Sequence, residues 1–151
     1  MNRCYWDYVR VLVPSGSQLL AAAPAPLPEG TLARTFRGVQ ETPDTVTVEP
    51  GEGETTAFGA FFVIAGGESR EMAFAYDLPP SVVQRNGTQS HYRLSVQKQA
   101  GTDAIPLEVR IRLPSGARVA ASQPKPTSID QDELIYELSL QTDQRVELQY
   151  E

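Results

Sequence analysis

The sequence predicts an all-β fold, an antiparallel and Ig-like β-sandwich, from three observations. Apolar residues recur at every second position through most of the chain, and helical spacing is almost absent. Turn-forming residues separate these runs, with 12 prolines and 11 glycines in 151 residues. A segment of the first half also returns in the second half. Together these features are typical of short strands that each bury one face against a second sheet.

Most of the predicted strands alternate apolar and polar residues, as strands with one solvated face do. In chain order these strands cover residues 9–13, 72–78, 92–96, 107–113, 134–140 and 146–150. Residues 58–65 form a nearly continuous apolar run instead, which predicts a central strand buried on both faces. A short strand is expected at 45–48 and one helical turn near 80–84. Alternating prolines predict an extended, polyproline-like connection at 23–28.

Turn signals lie between these runs and fit strand-to-strand connections. Pro-Ser-Gly occurs at residues 14–16 and again at 114–116, and Gly-Gly occurs at 66–67. Asn-Gly at 86–87 is typical of a tight hairpin turn. The same segment also matches a glycosylation acceptor, but a hairpin turn is the simplest interpretation.

The two halves of the chain share a pseudo-repeat. Val-Arg-Val-Leu-Val-Pro-Ser-Gly at residues 9–16 returns as Val-Arg-Ile-Arg-Leu-Pro-Ser-Gly at 109–116. Both halves also contain a polar turn that is followed by an arginine and then by alternating apolar residues ending on a tyrosine. We therefore expect two β-sandwich pseudo-repeats, at residues 4–80 and 90–151. Two packed lobes are favoured, and the alternative is one larger sandwich built from both copies.

Charge and hydropathy exclude several classes of partner. The net charge is −6 at pH 7, and the 13 lysines and arginines are scattered. Nucleic acid and anionic membrane surfaces both require a basic stripe, which is missing here. No apolar run approaches the roughly 20 residues of a spanning helix, so we expect that the chain does not itself cross a membrane.

The chain is expected to be non-catalytic and to need no cofactor. Cys4 is the single cysteine, which excludes an internal disulfide, and a small buried hydrophobe is its expected role. His91 is the only histidine that could act as a base, and its neighbour Ser90 points to the opposite face of a regular strand. Phosphate loops, dinucleotide fingerprints and nucleophile elbows do not occur. No catalytic residue is therefore predicted.

Acidic residues in the second half are candidate calcium ligands. Hard cations take oxygen ligands from acidic loops, and Asp130, Asp132 and Glu133 supply such a loop. Their spacing alone provides fewer than the six or so ligands that calcium takes. Glycosidase chemistry needs two such carboxylates as well, but acids in turns beside strands are usually solvated.

Trp6 and Tyr8 form the candidate binding site. Alternation places both side chains on the face of the first strand opposite Val9 and Val11. If that face is open to solvent, an aromatic pair there is an interaction site for carbohydrate or protein. The alternative is that this segment packs beneath a neighbouring lobe or domain.

Two segments carry a resemblance to known proteins. One is Tyr-Trp-Asp-Tyr-Val-Arg-Val at residues 5–11, leading to the first Pro-Ser-Gly turn, and the other is Tyr-Arg-Leu-Ser-Val-Gln-Lys-Gln-Ala-Gly-Thr at 92–102. They resemble the C-terminal β-rich region of an uncharacterised bacterial family, the domain of unknown function four-thousand-twelve. The resemblance covers residues 4–150, and Gln-Lys-Gln-x-Gly-Thr is its more specific motif. More loosely, the chain resembles the Ig-like repeats of bacterial surface proteins.

The resemblance implies a location and a context. In that family such segments form the C-terminal part of a membrane-anchored protein whose bulk lies outside the cytoplasm. An extracytoplasmic position at the cell surface is therefore expected. The leading hypothesis is a non-catalytic β-sandwich module of a larger exported bacterial protein, a structural spacer or protein-docking domain whose partner is an unknown protein or cell-wall component. The alternatives are a carbohydrate- or cell-wall-binding module that uses the aromatic strip, and an accessory domain of a hydrolase encoded elsewhere in the parent chain.

Overall fold

The computed structural model describes residues 5–25 and 46–151, and Cys4 lies outside these ranges. Apart from one 3-10 turn, all regular secondary structure of the described residues is antiparallel β-strand, which confirms the predicted all-β sandwich class. The chain divides into two compact units, Met1–Pro79 and Pro80–Glu151. Among the described residues, no helix is long and apolar enough to cross a membrane.

The first unit contains two facing sheets. Its described strands are β1 (Tyr5–Pro14), β2 (Gln18–Ala23), β3 (Thr47–Pro50), β4 (Thr55–Ile64) and β5 (Ala73–Asp77). β4 lies between β1 and β3 in one antiparallel sheet, and β2 pairs with β5 in the other. The rings of Phe58 on β4 and Tyr76 on β5 have centroids 5.5 Å apart. These rings therefore join the two layers through the core.

The second unit is a seven-stranded sandwich. Its strands are β6 (Val83–Asn86), β7 (Gln89–Val96), β8 (Ile105–Arg112), β9 (Val119–Gln123), β10 (Ser128–Asp130), β11 (Glu133–Leu140) and β12 (Gln144–Tyr150). One sheet has the order β6-β7-β12-β9 and the other the order β10-β11-β8. This is the four-plus-three division of an Ig constant-type domain. In an Ig constant-type domain the fifth strand lies beside the second. In this unit the strand beside the second, β7, is instead the last one, β12.

The core of the second unit follows the predicted alternation. Its buried members come from β8, the turn after it, β11 and β12: Val109, Leu113, Leu134, Tyr136, Val146 and Leu148. The Tyr136 side chain is completely buried, and its hydroxyl lies 2.8 Å from Ser122 Oγ on the other sheet. Ser122 donates its single hydroxyl proton to the Pro124 carbonyl at 2.7 Å, so Tyr136 is the donor to Ser122.

In the first unit β4 is the central strand, as the apolar run predicts. Phe58 and Ala60 are completely buried on one of its faces and Ala57 on the other. The expectation that Phe61 and Phe62 are equally buried is wrong, because both are only half-buried. The reason is geometric: β3 pairs with β4 only as far as Gly59, so among the described strands the last residues of β4 have β1 as their one neighbour.

The two units share an order of strand pairing. β1 and β3 pair with β4 while β2 pairs with β5, and likewise β8 and β10 pair with β11 while β9 pairs with β12. Val11 lies opposite Phe58 in the first unit as Ile111 lies opposite Leu134 in the second. Each Pro-Ser-Gly segment forms a turn with a positive glycine φ, 88° and 82°. The sequence pseudo-repeat itself stays a prediction, but the shared pairing makes corresponding positions comparable.

Three local predictions have structural outcomes. The short strand expected at 45–48 is β3, Thr47–Pro50, which begins two residues later. The helical turn expected near residue 80 is a single 3-10 turn at Pro80–Val82. Asn-Gly at 86–87 connects β6 to β7 as a tight hairpin, with a φ of 61° at Gly87. From residue 26 onward, the expected polyproline-like connection lies outside the described residues.

Candidate functional site

Trp6 and Tyr8 lie on the outer face of the β1-β4-β3 sheet, opposite the face that carries Val13 and Phe58. Directly across from them on β4 are Val63 and Phe61. The rings of Trp6 and Phe61 have centroids 5.8 Å apart and planes tilted by 53°. Phe61 thus joins the predicted pair, and we refer to Trp6, Tyr8 and Phe61 as the aromatic face.

The aromatic face is partly open to solvent. Trp6 is 41% exposed, whereas Tyr8 and Phe61 are half-buried and Val63 is 1% exposed. Arg10 and Leu12 continue the same face along β1, and both are exposed. The exposed apolar side chains of this face are thus Trp6 and Leu12, with the charged Arg10 between them along β1.

Tyr8 is fixed in place by a close approach to the backbone. Its ring crosses Gly59 on β4, and its hydroxyl lies 2.6 Å from Thr47 Oγ1 on β3. A Cβ at residue 59 would overlap the Tyr8 hydroxyl and lie 2.7 Å from Thr47 Oγ1. Only glycine leaves room for this crossing, which is a recognised use of glycine within a strand. One side chain therefore spans all three strands of the sheet.

The first residues of β1 also carry an aromatic contact on the opposite face. The Tyr5 hydroxyl donates to Asp7 Oδ2 at 2.9 Å, and the Tyr8 backbone N–H donates to Asp7 Oδ1 at 2.8 Å. The hydrogen bond to Asp7, followed by its negative charge, raises the pKa of the Tyr5 phenol. The Tyr5 ring lies 6.3 Å from that of Phe62. This end of the β1–β4 ladder thus carries aromatic pairs on both faces.

The corresponding face of the second unit is charged. By the shared pairing order, Tyr8 corresponds to Glu108 and Phe61 to Glu137. Arg110 Nε lies 2.7 Å from Glu108 Oε1, and Arg110 Nη1 lies 3.6 Å from Glu133 Oε2. The hydrogen bond from Arg110, followed by its charge, lowers the pKa of Glu108. The same position in the pairing order therefore carries exposed ion pairs in one unit and aromatic rings in the other.

The predicted calcium ligands lie among arginines. Asp130 and Glu133 face each other in the β10–β11 ladder. Asp132 Oδ1 is 3.8 Å from Arg112 Nε, and Glu133 Oε1 is 3.3 Å from Arg112 Nη2. Within residues 5–25 and 46–151, no group of three His, Cys, Asp or Glu side chains could hold a metal ion. Calcium binding stays a prediction, and the neighbouring arginines oppose it because they repel a cation.

His91 is half-buried on the outer face of the four-stranded sheet. Gln84, His91 and Gln149 lie directly opposite one another on β6, β7 and β12. The His91 Nε2 atom is buried and has no hydrogen-bond partner. These three residues line a cavity of about 330 Å³, together with Arg85, Asn86, Gln89 and Ser90. Amide side chains predominate in this lining, which also contains the Arg85 guanidinium. The sequence did not predict this cavity because its residues come from three strands.

The Gln-Lys-Gln-x-Gly-Thr motif forms a loop after β7 that is held by its own lysine. Lys98 Nζ donates to the Gln99 carbonyl at 2.8 Å and also to the carbonyl and hydroxyl of Thr102. The Lys98 backbone N–H donates to Asp143 Oδ1 at 2.8 Å, and Gly101 has a φ of 79°. The ammonium group is therefore engaged within its loop, so the motif has a structural role.

Comparisons with models of protein families, with curated proteins and with solved structures find no match to this chain.

Proposed function

We propose that this chain is a non-catalytic β-sandwich module of a larger exported bacterial protein, which it serves as a protein-docking domain and structural spacer. The aromatic face is its contact surface. One observation supports this assignment most strongly. The outer face of the β1-β4-β3 sheet carries Trp6, Tyr8 and Phe61, whereas the corresponding face of the second unit carries ion pairs. The charged face is what a sheet in contact with water ordinarily presents.

The chemistry of the aromatic face suits protein docking. Tryptophan and tyrosine are enriched among the residues that dominate interface energies, because each buries a large area and keeps one polar group. Tyr8 is already held by Thr47 across Gly59, so a partner would not have to order its ring. Burial of the accessible part of Trp6 then supplies the hydrophobic gain.

The extracytoplasmic location at the cell surface is the part of the proposal that depends on the family resemblance. Residues 5–16 and 92–102 carry that resemblance, and it implies a parent chain anchored in the membrane.

A carbohydrate- or cell-wall-binding module is the second candidate function. Trp6 offers an accessible ring, and the exposed Arg10 on the same face could supply hydrogen bonds to sugar hydroxyls. Titration with cell-wall polysaccharides tests it, since Trp6 is the single tryptophan and its fluorescence reports on this face alone. Unchanged emission with every polysaccharide would remove this candidate. No feature of the described residues favours the accessory-domain hypothesis over these two.

Site-specific photocrosslinking in the cells that carry the parent protein tests the docking proposal. A photoreactive phenylalanine analogue replaces Trp6 in one variant and Glu108 in a matched control, because Glu108 lies on the corresponding face of the second unit. We expect a discrete protein adduct from position 6 and none from position 108. Equal adducts from both positions, or none from either, would contradict a docking role for the aromatic face. Iodide quenching of Trp6 in the purified chain verifies beforehand that its ring is accessible.

A further inference from the structure

The hairpin between β6 and β7 places an asparagine directly before a turn glycine. Asn86 pairs with Gln89 at the end of the ladder, so Gly87 and Thr88 form a two-residue turn. Gly87 has a φ of 61°, whereas Thr88 is not among the residues with positive φ. This is the φ pattern of a type II′ turn, in which glycine takes the first central position. The peptide bond after Asn86 therefore leads to a residue that has no side chain.

The side-chain amide of Asn86 and the backbone nitrogen of Gly87 are both free in this turn. Asn86 is exposed, and no hydrogen bond of the described residues engages its carboxamide. Gly87 lies outside the β6–β7 register, and its N–H donates to no carbonyl in the turns and loops of the described residues. A Cβ built on Gly87 would have nothing within 4 Å of it, so the space beside this bond is open.

An exposed Asn-Gly pair can lose ammonia without an enzyme, and asparagine is one of the thermolabile residue types. The Gly87 nitrogen, deprotonated by solvent hydroxide, attacks the Asn86 side-chain carbonyl carbon. A new C–N bond closes a five-membered succinimide, and the amide nitrogen leaves as ammonia. Water then adds to either succinimide carbonyl and breaks the bond between that carbon and the Gly87 nitrogen. Opening at the side-chain carbon gives aspartate, and opening at the main-chain carbon gives isoaspartate.

Isoaspartate at residue 86 would disturb β6 more than any other strand. Its main chain runs through the side-chain carbons and gains one atom beside the last pair of the ladder, and hairpin register depends on the geometry and length of the turn. β6 is four residues long, pairs with β7 alone among the described strands, and contributes no member of the buried core. Separation of β6 would therefore leave the core of β8, β11 and β12 intact.

We propose that Asn86 is a site of spontaneous deamidation in the folded chain, and that its isoaspartyl product separates β6 from β7. Either product also places a carboxylate in the lining of the cavity beside His91, which contains the Arg85 guanidinium and no carboxylate. The hairpin thus changes its charge and its pairing as the protein ages. This inference goes beyond the docking function of the aromatic face, which lies in the first unit, so either proposal can fail alone.

Incubation of the purified full chain in mildly alkaline buffer tests the reaction, with a capped peptide of residues 83–92 as the reference. Peptide mapping by mass spectrometry follows the replacement of NH₂ by OH at residue 86, and an isoaspartyl methyltransferase distinguishes isoaspartate from aspartate. We expect conversion in the folded chain and its loss in Asn86→Gln, whose longer side chain would have to close a six-membered ring. A folded chain that stays unmodified while the peptide converts would overturn the proposal, because the hairpin would then protect Asn86.

Tyr136→Phe separates reaction in the native hairpin from reaction in unfolded molecules. The substitution weakens the core of the second unit by removing one buried hydrogen bond, and it leaves the hairpin sequence unchanged. We expect the same rate of conversion in this variant as in the wild type. A rate that rises several-fold, in step with the unfolded fraction, would assign the reaction to unfolded chains and overturn the proposal.

Hydrogen exchange tests the separation of β6, once the isoaspartyl and aspartyl forms have been resolved by chromatography. In the isoaspartyl form we expect faster exchange in residues 83–86 and in the β7 amides that pair with them. Exchange in β9 should stay unchanged, because β9 pairs with β12 on the far side of the sheet. The aspartyl form keeps the normal main chain and is the matched control. Equal exchange of β6 in the two forms would overturn the separation of this strand.

Discussion

The Tyr8 hydroxyl lies 2.6 Å from Thr47 Oγ1 and reaches it across Gly59. This hydrogen bond joins the two outer strands of a three-stranded sheet over the central one. Tyr8 is therefore positioned by a glycine on β4 and by a threonine on β3, both distant in sequence. The exposed Trp6 lies two residues before it on the same strand. The orientation of the aromatic face thus depends on a residue that has no side chain.

Gly59→Ala tests this dependence. Alanine in place of glycine ordinarily stabilises a strand by about 0.5–1 kcal/mol, because glycine loses more backbone entropy on folding. Here we expect the opposite sign, a loss of about 1–3 kcal/mol, because the new methyl group would overlap the Tyr8 hydroxyl and displace the ring. Urea unfolding followed by circular dichroism measures the change.

A double-mutant cycle with Tyr8→Ala supplies the control for Gly59→Ala. Tyr8 supplies two of the three atoms nearest to the new methyl group, and the third is Thr47 Oγ1. We expect the cost of Gly59→Ala to fall by at least about 1 kcal/mol in that background. An equal cost in both backgrounds would mean that the crossing of Tyr8 over Gly59 does not determine the stability of this sheet.

The features that the sequence could predict came from the alternation of apolar and polar residues within single strands. The period of two in β1 placed Trp6 and Tyr8 together on one face, because alternation is a property of a single strand. It could not identify Phe61 as their neighbour, since the register between β1 and β4 depends on pairing between distant segments. Gly59 within an apolar run was a usable signal, because glycine inside a strand often marks a close approach.

The acidic cluster of the second unit illustrates the same limit. The spacing of Asp130 and Asp132, with Glu133 beside them, suggested oxygen ligands, but it contained no information on what faces these side chains. Arg112 lies directly opposite Glu133 in the β8–β11 register, and it forms ion pairs with Glu133 and Asp132. Charges that lie side by side across a ladder cannot be recognised from the spacing along either strand.

Tyr136 provides a test of the core of the second unit. Tyr136→Phe removes only the hydroxyl that donates to Ser122, and we expect a loss of about 0.5–1.5 kcal/mol. Tyr136→Ala removes a completely buried ring and should cost about 3–5 kcal/mol. Chemical denaturation of both variants measures the difference. A Tyr136→Phe loss as large as that of Tyr136→Ala would contradict the view that ring packing dominates.

Lys98→Met tests the structural role of the Gln-Lys-Gln-x-Gly-Thr loop. The substitution keeps much of the apolar stem and removes the donors to Gln99 and Thr102, so we expect a loss of about 1.5 kcal/mol and faster amide exchange in residues 98–102. Hydrogen exchange measures the loop directly. Lys125→Met, at an exposed position, is the matched control and should leave the exchange of this loop unchanged. Unchanged exchange in Lys98→Met would assign the lysine a role outside the loop.

Glu108 provides a test of the charged face by pH. Its pKa is lowered from the ordinary value of 4.5 because Arg110 donates a hydrogen bond to the carboxylate and attracts its charge. A carboxyl group with a lowered folded-state pKa contributes stability above its unfolded pKa, and that contribution is lost as the pH falls through the folded pKa. An NMR titration of the Glu108 carboxyl should therefore give a midpoint below 4.5, and Arg110→Met should move it back toward 4.5. Because the stabilising interaction disappears on protonation, the stability difference between wild type and Arg110→Met should shrink as the pH falls below the Glu108 midpoint.

Arg93→Met is the control for this titration. It removes the ion pair with Glu147 on the other sheet and should leave the Glu108 midpoint unchanged. A wild-type midpoint at or above 4.5 would mean that the Arg110 contact is not maintained in solution.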